Sequence, residues 1–308
     1  MTATAIEKKR SGQPEFHLQT AKVPAHLDET PWIDFEQSTA LALCDSLEQE
    51  LRRLVAQPTA KRVHDTRVAL RRWFSVWSVM RKDGWQSKKF KRRVAQPMRR
   101  LLRTLGSLRD WDVNLSLGKE LGCPKEMLRQ WKKERALVRD AVTTTIDHLD
   151  PDSTMRRLRK YITRRPERLR SKLPAESTME SAYDHIDRFV KAQEDRVQEL
   201  ESHARTPEEL HQLRLAVKRW RYLLTEFFGL TNLQLVRTQQ TLGKLNDLYR
   251  LEGLLIRQPS PAVMARLEEQ RQQLLTEFDD IRSALPYGLR PVWVSASAGP
   301  SRRATDAD

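Results

Sequence analysis

Two stretches of the chain repeat one order of polar side chains. "VHDTRVALRRWFSVW" at 63–77 sets His64, Arg67, Arg71 and Arg72 ahead of a tryptophan, and "LHQLRLAVKRWRYLL" at 210–224 does the same with His211, Arg214, Lys218 and Arg219. Imidazole beside guanidinium groups can donate charge-assisted hydrogen bonds to phosphate oxygens, with the arginine fork offering two parallel donors. Metal binding does not fit, because the neighbours of both histidines are cations that would repel a divalent ion. Phosphoryl transfer would need a nucleophile, a Walker loop or carboxylates for magnesium, and none accompanies the histidines. The chemistry left for these groups is to hold phosphate, with no catalytic residue, metal or cofactor expected.

Helical periodicity sorts each stretch into two faces. His64, Arg67 and Arg71 share one, with Arg72 off to its side, while Val63, Leu70, Trp73, Phe74 and Trp77 form a separate apolar stripe. In the second copy His211, Arg214, Lys218 and Tyr222 share the basic face, and Leu213, Val217, Trp220 and Leu224 form the stripe. The tryptophans are therefore expected in the core and not as platforms for bases. A single arginine-rich face is usually solvated surface; the same order written twice points to a site that uses those positions.

The copies share more than these helices. Thr206, Pro207 and Glu209 spell a helix start with a capping box, and Thr59 precedes His64 as Thr206 precedes His211. Downstream, "TLGSLRDWDV" at 104–113 is similar to "TLGKLNDLYR" at 241–250, aligning Gly106 with Gly243 and Asp110 with Asp247. Two separate segments in the same order make an internal duplication. The glycines are expected to let helices approach closely, and the aspartates to hold arginines in place.

The elements that must position these groups read as nine long helices, at about 37–56, 60–82, 87–119, 124–148, 153–172, 178–203, 207–228, 231–256 and 262–284. Residues 1–36, with Pro14, Pro24 and Pro31, read as a loose arm with an anchoring aromatic at Trp32 or Phe35, and 291–308 as a disordered tail. The sequence has 308 residues, 56 Lys and Arg against 41 Asp and Glu, and a net charge of +15. Such an excess makes a polyanion the first partner to consider. It is densest at 88–109, which has no acidic residue and puts Arg92, Arg99 and Arg103 on one stripe, and at 155–172, where Glu167 is the one acid. Arg100, Arg103 and Lys244 join the candidate binding residues on charge alone. Cys44 and Cys123 stand outside any CxxC, and no run is long and apolar enough for a membrane span, so a soluble cytoplasmic protein is expected.

The motifs "VHDTRVALRRW", "LHQLRLAVKRWRYL", "LGSLRDWDV" and "LGKLNDL" resemble the CHAD family, named for conserved histidines in an α-helical domain. The likeness runs over about 37–285, and it departs where Tyr249 and Arg250 take the places of Asp112 and Val113. The resemblance implies an all-α domain over 37–290, with halves of about 37–175 and 176–290 forming two antiparallel four-helix bundles about a pseudo-twofold axis. It implies a basic central channel lined by the histidine helices, binding of inorganic polyphosphate, and a place at polyphosphate granules. By motif position His64, Arg67, Arg71 and Arg72 would stand opposite His211, Arg214, Lys218, Arg219 and Tyr222. Many relatives carry a CYTH triphosphatase domain marked by ExExK; this sequence has no such motif and is expected to be the stand-alone form. The alternatives are weak, nonspecific nucleic-acid binding, and an accessory protein or enzyme of polyphosphate metabolism.

Overall fold

Prolines and capping side chains decide where the helices begin. In the computed structural model, which describes residues 19–20, 27–82, 88–256 and 260–290, Thr59 accepts a hydrogen bond from the Arg62 amide at the start of the helix Ala60–Met80. Thr206 and Glu209 close the expected capping box at the start of the helix Pro207–Phe228. The chain runs β1 (Gln19–Thr20), α1 (Trp32–Ala56), α2 (Ala60–Met80), α3 (Lys88–Phe90), a π-helical stretch (Lys91–Ala95), α4 (Gln96–Glu120), α5 (Lys125–Leu149) and α6 (Pro151–Arg170). It continues through α7 (Ala175–Thr178), α8 (Ala182–His203), α9 (Pro207–Phe228), β2 (Leu230–Thr231), α10 (Leu233–Leu255) and α11 (Pro261–Arg282). The all-α class is as expected, apart from the two-residue antiparallel pairing of β1 with β2.

Two local readings are corrected. The helix expected from 37 begins at Trp32, with Pro31 as its N-cap, and Trp32, Ile33, Phe35 and Glu36 are buried. Pro31, taken as a sign of loose chain, instead marks a helix start, where a missing N–H costs nothing. The remainder of the arm before residue 27, the β1 pair aside, and the tail lie outside the described residues. The single helix expected over 87–119 is interrupted by the π-helical stretch, next to Pro97, which has no N–H for the carbonyl four residues back.

Within the first copy α1 packs on α2 and α6, α2 on α4, and α4 on α5; within the second, α8 packs on α9, α9 on α10, and α10 on α11. Across the copies α1 meets α8, α2 meets α9 and α4 meets α10, so each of these three helices touches its own counterpart. The exchange is reciprocal at the helix starts: the Trp32 amide donates to Glu180 and the Ala182 amide donates to Thr30. Contacts of this self-matching form are what a twofold relation produces. One apolar core joins the copies, with Trp73, Trp77, Trp220, Leu70, Leu213, Val217 and Leu224 all buried in it, as the stripes foretold. Within the first copy Arg165 of α6 pairs with Glu36 of α1 at 2.8 Å, both buried, and across the junction His185 of α8 stacks on Trp32.

Gly106 and Gly243 do not serve close packing. A Cβ built on either would meet no atom of a neighbouring element within 4 Å. The expectation of tight helix approach is therefore wrong; both glycines face open space. Gly106→Ala and Gly243→Ala should each stabilise the protein by up to about 1 kcal/mol, the helix-propensity difference, in urea unfolding. A loss of stability would restore the packing role.

Candidate anion-binding site

The apolar stripes of α2 and α9 point into the core, and this turns their basic faces toward a common region flanked by α4 and α10. Arg67 is only 8% exposed, and Arg71, Asp110, Arg109 and Arg250 are the charges that act on it. Arg214 is acted on by Arg71, Asp247, Arg250 and Asp110. Lys218 is surrounded by Arg71, Arg214, Arg67 and Arg221. The same side chains recur in each other's surroundings, so the two rows converge on one cluster with Arg71 common to all three.

Few carboxylates answer these cations. Asp110 of α4 pairs with Arg250 of α10 at 2.5 Å, and Asp247, which burial pushes up, lies near Arg214 and Arg250. The Nε atoms of Arg67 and Arg214 are buried without a hydrogen-bond partner. A buried, unsatisfied charged donor is costly, and a matched pair of them at equivalent positions calls for an acceptor from outside.

Burial and then Arg71 bring Arg67 down to about 10, which leaves it charged at neutral pH. Lys218 responds further: burial first, then Arg71, Arg214, Arg67 and Arg221, lower its amine to about 6. Its neighbour Tyr222 is buried, with Arg221 and Lys218 against its ring at 4.8 and 6.0 Å. His64 is exposed, and burial followed by Arg109 lowers it. His211 lies 2.6 Å from Asn246 through Nδ1; Asn246 turns its amide nitrogen to Asp247, so its oxygen accepts from the imidazole. Nε2 is then the lone-pair nitrogen of the neutral ring and donates to phosphate only when the ring is protonated.

The remaining candidates lie elsewhere. Arg72 grips Glu226 of α9 through two hydrogen bonds of 2.7 and 2.9 Å, so it ties the helices together instead of joining the cluster. Arg219 is exposed beside the row. Arg100 and Arg103 line a groove on α4. Lys244 lines a cavity that it shares with Glu120, Asp247 and Glu277. Two central residues escaped the sequence reading, Arg109 and Arg250. Arg250 was visible as the break in the repeat, and Arg109 holds the column of Asn246, the residue that touches the second histidine.

Among the described residues no group of His, Cys, Asp or Glu is arranged to hold a metal ion, and no helix is long and apolar enough to cross a membrane. Fold and site together define an all-α protein built around a buried meeting of cations. The chain belongs to the CHAD domain family, whose model matches residues 39–256. It is similar in fold to the crystal structure of the CHAD domain from the plant Ricinus communis, at 20% identity and a TM-score of 0.62, covering 85% of this chain and 94% of that one. It is also similar to PptA from Streptomyces chartreusis, at 15% identity and a TM-score of 0.56, covering 83% and 98%. No curated protein matches the chain.

Lys218 gives the site a definite pH response. Its ordinary value is 10.5, and between 6 and 10.5 the unfolded chain holds a proton that the folded chain lacks. Stability of the unliganded protein therefore rises with pH across that window. A polyanion reverses the sign, because it raises the amine's pKa and draws a proton in as it binds. Affinity for any polyanion that the cluster takes should fall as pH climbs above about 6, and calorimetry in buffers of different ionisation enthalpy should show net proton uptake by the protein. Lys218→Met should reduce that uptake; an unchanged value would take Lys218 out of the site.

Proposed function

We propose that this protein binds inorganic polyphosphate without chemically altering it, at the cluster between α2 and α9. The observation that carries the reading is the pair of buried, unpartnered guanidinium nitrogens on Arg67 and Arg214, set among Arg71, Lys218 and Arg250. Polyphosphate is a chain of closely spaced charges without bases, and it can supply acceptors to all of these at once. Single-stranded nucleic acid would ask for rings to stack on, whereas Tyr222, the ring at the cluster, is buried under Lys218 and Arg221. Binding of this kind fits a cytoplasmic protein gathered at polyphosphate granules. The reading gives the protein no enzymatic role.

Arg67→Glu combined with Arg214→Glu should weaken polyphosphate binding roughly a hundredfold or more, as the loss of two charged contacts implies, with helical content unchanged by circular dichroism. Wild-type protein should release DNA readily when polyphosphate is added at physiological salt. The opposite order of competition would favour nucleic acid, and shortening or growth of the polymer in the presence of magnesium would make the protein an enzyme.

A further inference from the structure

We infer that a phosphate polymer seated in the central cluster leaves it on one side only, along a cationic groove on α4, so that affinity rises with polymer length. This rests on the reading above and adds a route and a direction to it.

The seam between α2 and α4 is antiparallel and is fixed at two points. Arg109 acts on His64 near the start of α2, and Arg99 lies over the ring of Phe74, 5.4 Å from its centre, further down α2. Moving along α2 from His64 past Arg67 and Arg71 to Phe74 is thus moving back along α4 from Arg109 to Arg99. On α4, Arg99, Arg103, Gly106 and Asp110 succeed one another at spacings of four, three and four, which puts them on one face. Asp110 is the carboxylate that acts on Arg67, and it pairs with Arg250 at the centre. Between it and Arg103 stands Gly106, beside which a Cβ would meet nothing within 4 Å. The path out of the cluster is open at that step.

Beyond Gly106 the path becomes a groove of about 480 Å³ lined by Arg92, Arg99, Arg100, Arg103, Gln96 and His148, with no carboxylate in its wall. Arg93, next to Arg92, turns to a second cavity of about 360 Å³, where Lys89 and the α6 residues Arg157, Lys160 and Arg164 add further cations, again without a carboxylate. From Arg92 to Arg109 the helix rise alone gives a track of roughly 25 Å.

Among the described residues the second copy shows no matching run of cations. On α10, Val236 and Gln240 hold the places of Arg99 and Arg103, and Arg237, in the place of Arg100, lies 3.6 Å from Glu277. Nearer the centre, a cavity between α10 and α11 sets Glu120, Asp247 and Glu277 around Lys244. A polyphosphate would be repelled there and attracted on the α4 side. A polymer long enough to fill both centre and groove gains contacts that add without a second loss of translational freedom.

The test is fluorescence-detected binding of tripolyphosphate and of long-chain polyphosphate to the full chain at fixed salt. Wild-type protein should bind the long polymer more tightly. Arg100→Glu with Arg103→Glu, both exposed positions, should lower long-chain affinity roughly tenfold or more while tripolyphosphate affinity stays within about twofold. Arg237→Glu with Gln240→Glu, at the equivalent sites of the second copy, should change neither by more than about twofold. Unchanged long-chain affinity in the α4 variant would overturn the groove and leave the central site standing. An equal loss at both lengths, or an equal loss in the α10 control, would overturn the one-sided route. Failure of wild-type protein to bind either polymer would overturn the functional reading itself.

Discussion

Like charges must be held together before a ligand arrives, and the rest of this molecule can be understood as the means of doing so. Arg67, Arg71, Arg214 and Lys218 repel one another across the contact of α2 with α9. What opposes that repulsion lies on the other faces of the same helices. Trp73, Trp77 and Trp220 are buried in a core shared by both copies, and burying side chains of that size stabilises by several kcal/mol in total. Arg72 and Glu226 add a two-pronged bridge between α2 and α9. The displaced amine of Lys218 shows the cost that remains: the protein gives up a proton there sooner than carry one more positive charge.

Duplication is an economical route to such an arrangement. A helix with one apolar stripe and one basic face, written twice and brought together by its stripes, presents its two basic faces to the same space. The mutual contacts of α1 with α8, α2 with α9 and α4 with α10 carry this out. The copies then diverged where the environments touch. Asn246 steadies His211 in the second copy, whereas Arg109 crowds His64 in the first. Arg250, standing where the first copy has Val113, reaches across to Asp110 and joins the flanking helices at the centre.

How much of this could be read beforehand follows from the range of each interaction. Helix starts at Thr59 and Thr206 were legible because a cap is written within a few residues. The core tryptophans were legible because periodicity is local as well. Pairings between distant segments were not: nothing near Arg72 names Glu226 as its partner, and nothing near Glu36 announces the buried contact with Arg165. Helical position did hint that Arg72 stands apart from the His64 face. The glycines misled for a different reason. An absent side chain reads the same whether a neighbouring helix or empty space takes its place, and only coordinates tell the two apart.

The two most basic stretches of the chain, 88–109 and 155–172, lie outside the repeated motifs except for residues 104–109, and their placement explains why. A twofold arrangement of identical copies would treat both sides of the centre alike. The first copy breaks that balance by loading α4 and α6 with cations whose cavities hold no carboxylate, while the cavity beside α10 and α11 holds Glu120, Asp247 and Glu277. Repetition therefore built the centre, where contributions from both copies must meet, and departure from repetition built the periphery, where an extended polyanion gains from one direction over the other. An open glycine at the junction costs helix stability and leaves room, which is the trade a passage between the two regions requires.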